Sequence, residues 1–156
     1  MIALPVTSNA TNASPPRHQL ILDALEIELG GAVRRSRAGR TLASTTFTLG
    51  GLLLRPSLAL VRYDALQIAD LDQSPLDLTP DVAVEVVAPG EQVDQLEDRI
   101  AAYLAAGVQE VWIIHPRHGH LYIHSPGQVR QLRPGDAIHC SLLPGWDLPV
   151  KSLFDS

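Results

Sequence analysis

The sequence predicts an α/β protein of the mixed α+β kind, a mixed β-sheet flanked by helices, and three observations predict it. Residues 81–87 alternate like a strand, residues 93–106 carry a helical apolar stripe, and residues 108–115 are apolar on both faces. Together they read as strand, crossover helix, strand, an arrangement whose two strands run parallel. The run on both faces of 108–115 places that strand centrally in its sheet.

The elements follow in order. Residues 1–16, rich in Thr, Ser, Asn, Ala and Pro, read as a flexible tail, leaving 17–156 as a single domain. From His18 to Leu29, Leu22, Leu25 and Leu29 recur at helical spacing, and Gly30-Gly31 is expected to close the helix. Arg34, Arg35, Arg37 and Arg40 then form a basic stretch, read as a loop. Thr41–Leu49 and Leu52–Val61 read as strands separated by Gly50-Gly51, with Pro56 implying an edge, a bulge or a strand start. Residues 63–80 look acidic and irregular. In the 81–87 strand, Val82, Val84 and Val86 share one face; Asp81, Ala83, Glu85 and Val87 share the other. Val93, Leu96, Ile100 and Tyr103/Leu104 make the stripe of the next helix, which Gly107 caps. A strand at His120–His124 and one or two short strands within 127–154 complete the chain. Trp112 and Trp146 are expected in the core. There is no internal repeat.

Composition bounds the function. With 156 residues and 46% apolar content, the chain can bury one core. Cys140 has no partner for an internal disulfide, which fits a reducing compartment or a secreted protein needing no staple; a cytoplasmic location is the expectation. Met1 to Val6 is too short for a signal-peptide core, and no apolar run approaches ~20 residues, so no membrane span is expected. The net charge of −5 is unevenly spread: residues 17–62 hold seven Arg against three acids, and residues 63–110 hold one Arg against eleven acids. The first third could attract phosphate and the middle repels it. Eleven of the twelve basic residues are Arg; the one lysine is Lys151. Aromatic content of 4% argues against an exposed base-stacking platform.

Glu85 is the residue most in need of a physical account. A carboxylate inside Val-Ala-Val-Glu-Val-Val faces solvent, meets a cation, ligates a metal or is held protonated. Asp81, two pleats away near the strand end, could simply be solvated. His115, His118, His120 and His124 invite a zinc reading, but surface or hairpin histidines are the ordinary one, since no cysteine stands at a useful spacing. Cys140 reads as structural.

The run Pro80-Asp81-Val82-Ala83-Val84-Glu85-Val86-Val87-Ala88-Pro89 resembles the P-D-L-x-x-E-V-x-S-P core of a bacterial restriction endonuclease family in the PD-(D/E)XK nuclease superfamily. Arg99 to Pro116 is similar to that family's K-x-x-x-Y-x-x-A-G-V-x-E-V-W-x-V-D-P signature, and Arg55 to Val61 to its R-P-D-V-A-x-V strand. The likeness spans roughly residues 15–155 and implies a restriction-endonuclease-like sheet. It also implies phosphodiester hydrolysis in which an Asp and a Glu hold Mg²⁺ or Mn²⁺ and a Lys positions water. A homodimer and DNA as a partner are implied in the same way.

Compared position by position, the family Glu is Glu85, the Asp falls on Ser57, the Lys on Arg99, the final Asp on His115, and the Ser before Pro on Ala88. His18 matches a position on the first helix and, with Asp81 and Tyr103, is a candidate accessory residue. Ser57 offers a neutral oxygen where a metal takes an anion. Arg99 stays protonated, and beside Glu85 it could fill the metal's place with a guanidinium. Three readings follow. The first is a degenerate nuclease with little or no cleavage that needs no metal and is retained for nucleic-acid or protein binding. The second is an active metal-dependent endonuclease, Glu85 holding the metal and Asp81, Asp64, Asp70, Asp72 or Asp77 supplying a second carboxylate. The third is a non-catalytic assembly or ligand-binding protein. Arg34, Arg35, Arg37 and Arg40 are candidate phosphate contacts, weighed against a solvated loop.

Overall fold

The computed structural model describes residues 15–155. Residues 1–14 of the expected tail lie outside the described residues, while Pro15 and Pro16 open a helix. That helix, α1 (Pro16–Leu25), runs through a π turn (Glu26–Gly30) into α2 (Gly31–Arg35) without a break. Gly30-Gly31 therefore does not close it. Both glycines sit in the right-handed helical region, and Gly30 serves close approach instead: a Cβ there would meet Thr41 Oγ1 at 2.8 Å. The arginines are correspondingly not a loop. Arg34 and Arg35 end α2, Arg37 takes a left-handed turn, and Arg40 lies in the next strand.

The two long strands expected over 41–61 are four short ones. β1 (Gly39–Ala43) stops before Ser44, whose φ is +51°, and β2 (Phe47–Leu49) turns through Gly50-Gly51 into β3 (Leu52–Leu54). Pro56, which lacks an N–H for the ladder, separates β3 from β4 (Leu58–Arg62). The acidic segment is not wholly irregular, because α3 (Tyr63–Ile68) forms within it.

Then come β5 (Val82–Val86), α4 (Val93–Ala105), β6 (Glu110–His115), β7 (His120–Ser125) and β8 (Gln128–Leu132). A small hairpin of β9 (Ala137–His139) and β10 (Asp147–Pro149) and a 3-10 turn (Val150–Leu153) finish the chain, one strand more than expected. The main sheet has the order β1-β4-β5-β6-β7-β8. Only β5 and β6 are parallel, as the crossover through α4 requires; the other pairs are antiparallel. It is a mixed sheet flanked by helices, with β6 inside it.

Side-chain alternation sorts the core into two layers. Val82, Val84 and Val86 join Trp112 and Ile114 against Ile21, Leu25 and Leu29 of the first helix. Ala83, Val111 and Ile113 face the other way, with Ile100 and Tyr103 of α4. Each fully buried large apolar side chain contributes about 1.5–3 kcal/mol, and Trp112, with no exposed surface, is the largest of them. Trp146 is only half-buried against the same layer, and Cys140 is buried there, where burial pushes its thiol up. Val93 does not belong to the buried stripe of α4; it stands 69% exposed at the helix start.

Candidate functional site

Glu85 sits in the second layer because it shares the pleat of Ala83, and little solvent reaches it: the residue is 5% exposed. Arg99 and Tyr103 stand one turn apart on α4, so both project toward β5. Tyr103 donates its hydroxyl to Glu85 Oε2 at 2.7 Å, and Arg99 Nη2 donates to Oε1 at 3.2 Å. The same Nη2 also donates to Glu91 Oε1, while Glu91 Oε2 accepts the N–H of Ala88 at 3.1 Å. Arg99 is thus clasped between two carboxylates, with only 4% of its surface exposed. Its Nε has no hydrogen-bond partner among the described residues.

The electrostatics follow from burial. Desolvation pushes the Glu85 carboxyl up to about 7, against the Arg99 charge and the Tyr103 hydrogen bond, which pull it down; the nearby Glu91 charge adds to the rise. For Arg99, burial favours the neutral form, but Glu85 and Glu91 outweigh it and hold the guanidinium above its ordinary value. Burial and the neighbouring Glu85 raise the Tyr103 phenol, so it remains a donor.

The other predicted residues take distinct places. Ser57 lies one residue before β4, on the same pleat as Ala59 and hence on the Glu85 side of the sheet. Its Oγ accepts the N–H of Val86 at 3.2 Å, extending the ladder where Pro56 interrupts it. Asp81 is not solvated: it is 8% exposed and accepts from Arg62 at the backbone N–H (3.2 Å), Nε (2.9 Å) and Nη2 (2.7 Å). His18 donates Nε2–H to the carbonyl of Val87 at 2.7 Å, pinning the start of α1 to the end of β5. It also lines a cleft of about 530 Å³ with Glu91, His115 and His118.

Three of the four histidines, His115, His118 and His120, pack ring against ring. His115 and His120 face each other across β6 and β7 with ring centroids 5.3 Å apart, and His118 stacks on His120 at 5.5 Å. Burial lowers His115 and His120, helped by their histidine neighbours. Among the described residues no group of three or more His, Cys, Asp or Glu side chains is arranged to hold a metal ion. Arg34, Arg35 and Arg37 are exposed at the far end of the first helix, about 30 Å from its start by helical rise. Arg40 lies over the Tyr63 ring at 5.6 Å.

Glu91 is the residue that sequence reasoning missed. It lies in the turn before α4 rather than in a patterned element, and its only sequence signal is an acid two turns ahead of Arg99. It is also the carboxylate that approaches Glu85 through the shared guanidinium, a role the sequence had assigned to the aspartates.

The donor set does not fit the metal the motif implies. Both Glu85 oxygens already accept protein donors, Ser57 is neutral and engaged with backbone, and Asp81 is committed to Arg62. Mg²⁺ takes carboxylate, water and phosphate oxygens in near-octahedral array. A guanidinium occupies the carboxylates here.

The family model described as "Uma2: Putative restriction endonuclease" matches residues 9–151. The chain belongs to the Uma2 family. A solved structure from Anabaena variabilis ATCC 29413, described as a "putative nuclease belonging to DUF820", has the same fold. The match has a TM-score of 0.82 at 19% identity and covers 92% of this chain and 83% of that one. Among curated proteins none matches. The Uma2 membership and the shared fold agree with the PD-(D/E)XK-like motif. Among the described residues no helix is long and apolar enough to cross a membrane.

Proposed function

We propose that this Uma2 protein is a restriction-endonuclease-like protein with a degenerate site: it retains the nuclease fold, cleaves DNA little or not at all, and acts by binding nucleic acid or protein. One observation carries the reading. The Arg99 guanidinium is clasped by Glu85 and Glu91, and Tyr103 takes the remaining Glu85 oxygen. Arg99 cannot accept a proton from water at ordinary pH, so Lys-type chemistry is lost with the Asp-type ligand at Ser57. A cytoplasmic homodimer is part of the proposal, and sedimentation of the purified chain tests the dimer.

The deciding experiment is a nuclease assay with Mg²⁺ and Mn²⁺ on several DNA forms, comparing the native chain, Glu85→Ala, and the pair Ser57→Asp with Arg99→Lys. The native chain is expected to leave the DNA intact and the double variant to gain cleavage. Native cleavage abolished by Glu85→Ala would overturn the reading.

A second reading rests on Glu91. Were DNA to draw Arg99 away, Glu85 and Glu91 would be a free pair of carboxylates, the set a divalent cation takes. This reading expects native cleavage lost in both Glu85→Ala and Glu91→Ala.

A further inference from the structure

Two clefts share a wall at the start of α1. The first, of about 530 Å³, is bounded by Arg17 and His18, the turn from Val87 to Glu91, and the segment from His115 to His118. The second, of about 570 Å³, shares Arg17, Pro116, Arg117 and His118 with it and adds Leu20, Ile21, Leu153 and Phe154.

The first cleft is cationic. Arg17 and Arg117 line it, and neither forms an ion pair among the described residues. His115 and His118 add imidazoles; the Nε2 of His18 is already spent on Val87. Among the described residues the one acid in the lining, Glu91, turns its carboxylate to Arg99 and to the N–H of Ala88, and its side chain is only 5% exposed. Arg99 offsets part of that charge. A local excess of cation in a protein of net charge −5 favours an anion at this place.

The second cleft is mixed, with the shared arginines and His118 beside an apolar wall of Leu20, Ile21, Leu153 and Phe154. Leu20 stands 51% exposed in its wall, and Phe154 is half-buried. The volumes suit small ligands, which occupy sites of about 300–1,000 Å³. Guanidiniums pair bidentately with phosphate oxygens, and a flat heterocycle gains from stacking on an aromatic or apolar wall. A bare phosphate would leave the wall of Leu20 and Phe154 unused, and an apolar ligand would leave two guanidiniums idle.

We infer that the paired clefts bind a nucleoside 5′-phosphate, free or as the terminal residue of a strand, with its phosphate between Arg17 and Arg117 and its base against Leu20 and Phe154. The cleft adjoins the Arg99 clasp through Glu91, but the two arginines stand outside that clasp and their contacts use no metal.

The test is calorimetric titration of the full chain in EDTA with AMP, adenosine and inorganic phosphate. Single-stranded oligonucleotides bearing a 5′-phosphate or a 5′-hydroxyl form the second arm. AMP is expected to bind about tenfold more tightly than either fragment, and Arg17→Ala or Arg117→Ala to weaken it about tenfold, the scale of one charge-assisted contact. Both arginines are exposed, so unfolding midpoints should not move. Leu20→Ser should weaken AMP and leave inorganic phosphate unchanged. A preference for the 5′-phosphorylated strand assigns the site to strand ends; AMP binding without that preference assigns it to free nucleotide. No saturable binding at millimolar AMP, AMP no tighter than inorganic phosphate, or AMP binding indifferent to both arginine variants would overturn the inference. Because EDTA is present throughout, cleavage in the nuclease assay would leave this result intact.

Discussion

Replacing Arg99 with Met removes the cation shared by two carboxylates while roughly keeping the side-chain volume. Breaking a buried ion pair from one side costs about 3–5 kcal/mol, but Glu85 has an escape, because it can take a proton. Its carboxyl already titrates near 7 in the native chain, against 4.5 as its ordinary value, and Arg99 is the largest influence holding it down. Without Arg99 it titrates higher still. A carboxyl whose folded value is raised contributes stability below the unfolded value and loses it as pH climbs through the folded one. Forcing a proton onto Glu85 costs about 1.36 kcal/mol for each unit above 4.5. The native chain, whose Glu85 titrates near 7, bears the same cost up to that pH, so the extra cost to the variant is roughly 1.4 kcal/mol near pH 8 and close to nil near pH 5.5. Arg99→Met should therefore lose up to about 3–5 kcal/mol near pH 8, and about 1.4 kcal/mol less near pH 5.5. Urea unfolding followed by the fluorescence of buried Trp112 reads both values. Adding Glu85→Gln should restore much of the loss, giving a coupling energy in the double-mutant cycle. A loss that is the same at both pH values, or below about 1 kcal/mol near pH 8, would refute the picture of two carboxylates held by one buried cation.

Tyr103→Phe deletes the 2.7 Å hydrogen bond to Glu85 and should cost about 1.5–3 kcal/mol; carbon-13 NMR of the Glu85 carboxyl should show it titrating above its native value of about 7, and an unmoved titration contradicts the hydrogen bond. The stability deficit of that variant should widen as pH rises, by the same sign argument. Gly39→Ala places a Cβ 2.2 Å from the carbonyl oxygen of Val61 and should lose about 1–3 kcal/mol by overpacking. The comparison is Gly135→Ala, where a Cβ meets nothing within 4 Å; its urea midpoint should stay within about 0.5 kcal/mol of the native one.

The parallel pair and its helix were legible because their signals are local and agree with one another. Alternation in 82–86, the helical stripe of α4, and an apolar run for an inner strand each point the same way. The region from 30 to 62 was less legible because its decisive interactions are long-range. Gly30 looks like a terminator in sequence, yet its missing side chain admits Thr41 of a strand that follows in the chain. The cost of glycine inside a helix is offset by that packing, which no local pattern records. In the site, the pairing of Glu85 with Arg99 could be anticipated, since a carboxylate within a valine run needs a cation and the motif put Arg99 nearby. Tyr103 follows from its spacing of four residues from Arg99. Glu91 could not be found that way, because the turn from Ala88 to Gln92 decides where its carboxylate points. Asp81 escaped for a similar reason: its partner, Arg62, lies on the antiparallel neighbour β4, nineteen residues away.

The clasp around Arg99 has a thermodynamic side. A metal ion stabilises a protein by mass action, so its contribution shrinks as the free ion grows scarce. A guanidinium carried on the chain has no such dependence. Its local concentration is set by the fold of α4 against β5 and is the same in every medium. On the proposed reading, the two carboxylates of this Uma2 protein have their counter-ion from the moment the helix docks, and folding is expected to be uncoupled from the supply of divalent cations.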